Sequence, residues 1–267
     1  MQKFSIHSHS DFTDGWSTLE DMIVTAKDKG LELYGVSDHF VVHPKLNIHH
    51  ECVKNSFDGL LDLYEKHFEN IRNLGKKYDF NVKCGLEVDY INQDEWIKDF
   101  SEFNRQLSSD YLISGTHCLY NDDFSEIINV SDPLINDFSL INIDNMMKNY
   151  WKNIKAAIES GYFDMVAHLD YPKKLSCINI NNHQDLQEDV INTLIKKNIP
   201  IEINTNVYKS ISVYSPGDGI LDKLISVNHP ICISDDSHTK KNICSGFNEA
   251  YEHLTSLGHT NWWKPNF

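Results

Sequence analysis

Seven short apolar runs recur along the chain: KFSI (residues 3–6), LYGV (33–36), VKCGL (82–86), YLISG (111–115), DMVA (164–167), IPIEI (199–203) and PICIS (230–234). The segments between them have helical period. A strand that is always followed by a helix cannot meet the next strand through a hairpin, so repeated strand–helix units predict a parallel sheet covered by helices. The first connection, STLEDMIVTAKDKG, shows the pattern. Ser17 is placed to cap a helix and Glu20 to return the bond, Leu19, Met22, Ile23 and Ala26 share a face, and Gly30 closes the end. Comparable stripes run through Leu63, Phe68, Ile71 and Leu74, through Trp96, Phe100, Phe103 and Leu107, and through Tyr150, Ile154, Ala157 and Ile158. Later ones are Leu186, Val190, Ile191, Leu194 and Ile195, then Leu221, Leu224 and Ile225, then Phe247, Tyr251 and Leu254. Their aromatic residues are read as core.

Two architectures suit such a series, an open doubly wound sheet and a closed barrel. Neither G-x-G-x-x-G nor G-x-x-x-x-G-K-[ST] follows the first run, which counts against an open nucleotide-binding sheet and favours a barrel one unit short of the usual eight. The 267 residues suit one domain over positions 1–267, with no Pro-, Gly- or Ser-rich linker and no internal repeat.

A net charge of −15 counts against nucleic acid as a partner, since a polyphosphate backbone wants a basic stripe. Apolar runs stay well short of the roughly 20 residues that span a bilayer, so no membrane is expected. The start, MQKFSIHSHS, has no apolar core or cleavage site of a secretory signal, and the cytoplasm is the expected compartment. Cys52, Cys84, Cys118, Cys177, Cys232 and Cys244 lack C-x-x-C spacing and read as reduced packing residues.

The titratable groups fall on this scheme in a pattern. His7 and His9 follow the first run, Asp38 and His39 the second, Glu87 the third, His117 the fourth, His168 the fifth, and Asp236 and His238 the last. Each is expected just beyond the C-terminal end of a strand. In a parallel barrel those ends meet on one rim, where active sites of such folds are built. Packing explains one buried histidine but not a set of imidazoles and carboxylates on six strand ends; a polynuclear metal centre does. Nitrogen and oxygen donors without thiolate suit Zn, Mn or Fe(II), and a carboxylate can bridge two ions about 3.5 to 4 Å apart.

The run HSHSDFTDGWSTLEDMIVTAKDKGLELYGVSDH resembles the opening of the PHP (polymerase and histidinol phosphatase) superfamily, with its H-x-H, D-G, helix and S/T-D-H pattern. GLEVDY, DYLISGTHCLY, FDMVAHLDYPKK, EINTN and SDDSH then follow in the order of the histidinol-phosphatase branch, so the resemblance covers nearly the whole chain. It implies a distorted (β/α)7 barrel of the α/β class with three divalent metal ions. His7, His9, Glu87 and Asp236 would hold one ion, Glu87, His117 and His168 a second, and Asp14, His39 and His238 the third. SDDSH stands where the family has S-D-A-H, and the D-x-H spacing favours Asp236 over Asp235. Three ions at +6 against three carboxylates and a bridging hydroxide would leave the cleft roughly +2, fit for a phosphate dianion.

The implied activity is a metal-dependent phosphatase acting on a small phosphorylated substrate, L-histidinol phosphate first, with a sugar phosphate or nucleotide as the alternative and a non-catalytic metal-binding module as a third reading. Glu87, Asp236 and His238 would be catalytic. Ser5, Ser8 and Ser10 lack an independent base, which counts against a serine nucleophile. Fixed cations for the phosphate are sought at Lys173 or Lys174 and at Lys209; Lys209 stands where the branch commonly has arginine and would be a point charge rather than a fork. Phe12, Trp16, Phe40 and Tyr120 are candidates for an aromatic patch at the cationic end of the substrate. His43, His49 and His50 are assigned to a loop, and His67, His183, His229, His253 and His259 to the surface. Asp11 is expected to be exposed or behind the ligands, and Asp38 to orient His39. Residues 121–137 form an insertion that could cover the rim.

Overall fold

The computed structural model describes residues 2–46, 53–125, 127–130, 142–175, 178–179 and 182–267. His49, His50, Cys52, Cys177 and residues 126 and 131–137 of the insertion lie outside them.

The chain begins with β1 (Phe4–Ser5), α1 (Leu19–Asp28), β2 (Leu33–Val36), β3 (His39–Val42), β4 (Val53–Lys54), α2 (Leu60–Lys77), β5 (Val82–Asp89) and α3 (Asp94–Gln106). It continues with β6 (Tyr111–Gly115), β7 (Cys118–Tyr120), β8 (Ile127–Asn129), α4 (Ile143–Ser160), β9 (Met165–Val166) and α5 (Gln184–Lys197). The last elements are β10 (Ile201–Asn204), α6 (Thr205–Ile211), α7 (Asp218–Ser226), β11 (Ile231–Ser234) and α8 (Phe247–Ser256).

Each of the seven apolar runs supplies one strand of the main sheet, whose order is β1-β2-β5-β6-β9-β10-β11 with parallel pairing throughout. The ring then returns to its start. Ser8 and Ser237 form a parallel bridge, the His9 N–H donates to the Ser237 carbonyl at 2.9 Å, and the Gln2 amide spans Ile233, donating to its carbonyl at 2.7 Å and accepting from its N–H at 3.1 Å. With helices outside, this is a nearly closed (β/α)7 barrel.

The distortion lies between β2 and β5. The chain breaks at Ser37 and Asp38 and resumes as β3, which pairs with the second half of β5 in the register His39↔Glu87 and Phe40↔Val88. That extra partner extends β5 to eight residues, so Glu87 lies inside a strand rather than beyond one, and His39 opens a strand of its own. Within the insertion after His117, Ile127–Asn129 form β8, which pairs antiparallel with β7.

Packing follows from the strand period of two. On β5, Cys84, Leu86 and Val88 face an outer layer with Met22, Ile23, Phe68 and Phe100, all buried. A second outer layer joins Trp151, Leu194 and Leu224. The interior is floored by Phe4, Ile6, Tyr111, Ile113, Met165, Ala167 and Cys232. Tyr111 lies across the barrel because its neighbours are glycines: a Cβ on Gly35 would come within 2.3 Å of the phenol oxygen, and one on Gly85 within 2.2 Å of the ring. Its hydroxyl donates to the Ile6 carbonyl at 2.6 Å, and Phe267 stacks on the ring at 4.8 Å.

Some local expectations change. Thr18 rather than Ser17 caps α1, accepting from the Asp21 N–H, while the Ser17 hydroxyl accepts from Lys240 N–H. Leu63 is 40% exposed, its place in the α2 stripe taken by Tyr64 and His67, because the helix turns the 60, 64, 67, 68 and 71 positions inward. His67, His229 and His259 are buried, not at the surface: His67 stacks on Phe12, His229 bonds the Ile199 carbonyl and His259 packs edge-on against Trp262. Among the described residues no helix is long and apolar enough to cross a membrane.

Candidate metal centre

The rim is assembled by strand alternation. Beyond β1, His7 and His9 point one way while Ser8 points the other, its hydroxyl donating to the Gly35 carbonyl at 2.9 Å. On β5 the face opposite the outer core carries Gly85, Glu87 and Asp89. Gly115, across from Asp89 on β6, leaves room for the Glu87 carboxylate, since a Cβ there would stand 2.6 Å from Oε1. His117, His168 and Asp236 follow β6, β9 and β11, and Asp14 comes from the loop before α1.

The nine residues implied as ligands meet at this end of the barrel. Glu87 is central: His7 Nε2 lies 3.4 Å from Oε1, His168 Nε2 2.7 Å and His117 Nε2 3.6 Å, while His39 Nδ1 lies 2.9 Å and His9 Nε2 3.5 Å from Oε2. Asp236 Oδ1 is 3.1 Å from His9 Nε2 and 3.6 Å from His7 Nε2. Toward the mouth, Asp14 Oδ2 is 3.4 Å from His39 Nε2 and 3.3 Å from His238 Nε2.

These spacings discriminate between hydrogen bonding and coordination. Two ligands each about 2.1 Å from one tetrahedral ion stand about 3.4 Å apart, which is the range of most of these contacts. His7 Nε2, both ring nitrogens of His9, His39 Nδ1 and Glu87 Oε2 are buried without a hydrogen-bond partner among the described residues. Buried polar atoms are rarely left so. Four overlapping groups have ligand atoms within 4.8 Å of one another: His7, His9 and Asp236; His7, Glu87 and His168; His39, Glu87 and His117; and His9, Asp14, His39 and His238. His7, His9, His39 and Glu87 each belong to two groups. The donor set fits divalent ions sharing ligands.

Electrostatics make the residues one unit. Burial would push the Glu87 carboxyl up, but His7, His117 and His39 around it hold it well below the usual range; Asp236 is held down in the same way by His7 and His9. Burial also opposes protonation of His7 and His39, yet Glu202 and Glu87 beside the first, and Asp14 and Glu87 beside the second, raise both well above the ordinary value. His9 goes the other way, to about 4, through burial and then the charges of His39 and His238. Protons therefore compete with ions for this centre.

Behind the ligands stand two carboxylates that the sequence reading did not assign. Glu202 Oε2 is 2.7 Å from His7 Nδ1, and its Oε1 accepts from the His168 N–H and from Asn204 Nδ2. Asp89 holds His117 through Nδ1 at 2.8 Å and through the backbone N–H. A carboxylate between two isoleucines in IEIN was the available signal for Glu202. Asp38, expected to orient His39, instead accepts from the Ser10 N–H and hydroxyl, the Thr13 hydroxyl and His67, fixing the loop that carries Asp14. Asp11 accepts from the Leu19 N–H at the start of α1. Asp236, not Asp235, faces the imidazoles; Asp235 turns to the Ser5 hydroxyl and the Cys244 N–H.

A cavity of about 200 Å³ opens onto the cluster, lined by Asp14, His39, His117, Tyr171, Lys174, Asn206, Asp236 and His238. Lys174 supplies its cation, with Nζ 2.9 Å from the Tyr171 hydroxyl and 4.3 Å from the ring centroid. Lys173 is turned away, donating to Asp170 and to the Tyr214 carbonyl. Lys209 is exposed on α6 outside this wall, near enough to Asp235 and Asp236 for their charges to counter the lowering of its pKa by burial. Of the four aromatic candidates none lines the cavity: Phe12 stacks on His67, Phe40 packs on Phe103, Tyr120 bonds Asn153, and Trp16 is 87% exposed. His43 is buried and bonded to Gln93.

A sequence profile of the PHP domain matches residues 5–206. A probable histidinol-phosphatase of Clostridium acetobutylicum is 25% identical over 255 residues, 92% of this chain and 91% of the relative. Among solved structures, a putative histidinol phosphatase from Listeria monocytogenes superposes with a TM-score of 0.75 at 17% identity, over 92% of this chain and 99% of the other. A histidinol phosphate phosphatase from Lactococcus lactis, solved with zinc, L-histidinol and phosphate, gives 0.67 at 18% identity, over 98% and 95%.

Proposed function

The chain belongs to the PHP domain family, and from that premise we propose that it is a metal-dependent phosphomonoesterase, a single domain that hydrolyses L-histidinol phosphate to L-histidinol and phosphate in the cytoplasm. The observation that carries this reading is the convergence of nine imidazole and carboxylate groups on one small cavity with an ammonium in its wall. Relatives named histidinol-phosphatase along nearly their whole length support the substrate.

His7, His9, Asp14, His39, Glu87, His117, His168, Asp236 and His238 would hold three divalent ions, zinc, manganese or iron. Such ions, when bound, neutralise phosphoryl oxygens and make water acidic enough to attack at neutral pH. The chain's own residues do the rest. Lys174 presents its charge to a phosphate oxygen from a position fixed by Tyr171. Lys209, farther out, adds a second positive charge on the same side as Asp235 and Asp236. His238 donates from Nδ1 to the Asp236 backbone carbonyl at 2.9 Å, which can only accept, so in the neutral ring the Nε2 lone pair is the one left facing Asp14 and the cavity.

A serine nucleophile has no support: the Ser8 hydroxyl is committed to Gly35, Ser10 to Asp38 and Ser5 to Asp235. The deciding experiment is a panel of phosphate monoesters given to the metal-loaded enzyme. Histidinol phosphate is expected to have the highest kcat/KM; sugar phosphates or nucleotides turned over at least about tenfold better would replace the substrate and leave the phosphomonoesterase chemistry in place.

A further inference from the structure

We infer that Glu202 is a positioning residue that sets the tautomer of His7, and that its being a carboxylate rather than an amide is what keeps His7 available as a ligand. The inference rests on the reading of His7 as a metal ligand. Glu202 is fully buried in β10 and does not line the cavity that opens onto the cluster. Its Oε2 lies 2.7 Å from His7 Nδ1; an ionised carboxylate only accepts, so Nδ1 must carry the hydrogen. In the neutral ring, the form that binds a metal, the lone pair is then on Nε2, the nitrogen that faces Glu87 and Asp236 at 3.4 and 3.6 Å.

The other oxygen is equally constrained. Oε1 accepts from the His168 backbone N–H at 3.0 Å and from Asn204 Nδ2 at 2.9 Å. Neither donor can be reversed. The first is main chain, and the Asn204 amide is locked because its own oxygen accepts from the Asn206 and Val207 N–H groups at the start of α6. The same Asn204 nitrogen reaches Asp236 Oδ2 at 3.1 Å, so Glu202 and Asn204 together tie His7, His168 and Asp236.

An isosteric amide would therefore act as a trap. In Glu202→Gln the side-chain oxygen must stay with the two donors, which forces the NH2 toward His7. It would donate to Nδ1, move the ring hydrogen to Nε2 and block coordination. Glu202→Ala removes the acceptor but leaves space for a water, which can accept from Nδ1–H. A merely structural role predicts the opposite ranking, with Gln milder than Ala.

The test uses the full chain, loaded with zinc, with ions per chain counted by elemental analysis, zinc affinity measured by chelator competition, and the His7 ring read by 15N NMR of the zinc-free protein at a pH alkaline enough for the ring to carry a single hydrogen. The unsubstituted chain is expected to show Nδ1–H. Glu202→Gln should show Nε2–H and bind the His7-dependent ion about 100-fold more weakly, against about 10-fold for Glu202→Ala. Zinc binding in Glu202→Gln equal to or tighter than in Glu202→Ala, or an Nε2–H ring in the unsubstituted chain, overturns the inference. That last reading needs no variant, so the inference stays open to refutation even if the glutamine prevents folding. A His7→Ala chain that keeps all its ions overturns the ligand reading itself.

Discussion

The two ends of this barrel leave histidines with similarly little exposure and, His9 apart, treat them in opposite ways. At the rim, His7 and His39 stand against Glu202, Glu87 and Asp14, whose charges overcome burial and raise their proton affinity. At the floor, His229 donates to the Ile199 carbonyl at 2.8 Å, His259 packs against Trp262, and burial lowers the proton affinity of both. Depth alone thus says little about a histidine; the partner decides whether it is kept neutral as packing or surrounded by charge as a ligand.

The contrast breaks first at Glu87. Glu87→Gln should lower kcat/KM by more than about a hundredfold, since it weakens the group nearest five imidazoles. His229→Gln, equally buried at the floor, should stay within about twofold. Steady-state kinetics on both, with folding checked by circular dichroism, decides; similar losses would mean that the chemistry is not at the rim.

A chelator should abolish activity and lower Tm by at least about 5 to 10 °C, because each ion at about 100 times its Kd contributes about 2.7 kcal/mol and each kcal/mol is worth about 2 to 4 °C in a chain of this size. Activity returning with zinc or manganese, in a melt followed by calorimetry, sharpens the point. An unchanged Tm would mean that no ion is held by the rim.

At the cavity wall the lysines should separate. Lys174→Ala is expected to cost about 10- to 150-fold in kcat/KM, the equivalent of about 1.5 to 3 kcal/mol for a charge-assisted bond. Lys209→Ala should cost less, being exposed outside the wall, and Lys173→Ala should act on stability through Asp170. Equal kinetic losses at 174 and 209 would move the phosphate outward.

The smallest effect is at the floor. His229 and His259 have folded pKa values below the unfolded one, so the unfolded chain binds more protons below about pH 6.5. Stability should fall as pH drops through and below that value, and the slope of chemical denaturation midpoints against pH should flatten in a His229→Gln, His259→Gln double variant. An unaltered slope would assign the acid sensitivity to the rim.

The sequence makes the barrel plain because each strand is a compact apolar run with turn signals on both sides, and it makes the ligands plain because imidazoles and carboxylates sit at strand ends. Glu87 departs from that rule only because β3 lengthens β5, a pairing between residues far apart in the chain. The residues behind the ligands are harder to read. Asp38 follows β2 just as a ligand would, and only three-dimensional contact shows it holding Ser10, Thr13 and His67. Likewise Lys173 and Lys174 are adjacent, and the turn of one short 3-10 helix, Tyr171–Lys174, sends them in different directions.

The seam of the barrel joins the chain's beginning to its end, through Ser8 with Ser237 and through Gln2 with Ile233, which are 231 residues apart in sequence. This sets a timetable for biogenesis. A nascent chain leaving the ribosome exposes His7 and His9 before the other ligands, but Asp236 and His238 follow them by more than about 220 residues, and closing so long a loop must wait for them. Until then His7 and His9 lack the Asp236 carboxylate that stands 3.6 and 3.1 Å from them in the finished ring. Selection among metals therefore belongs to the finished ring, at the moment its first and last strands meet.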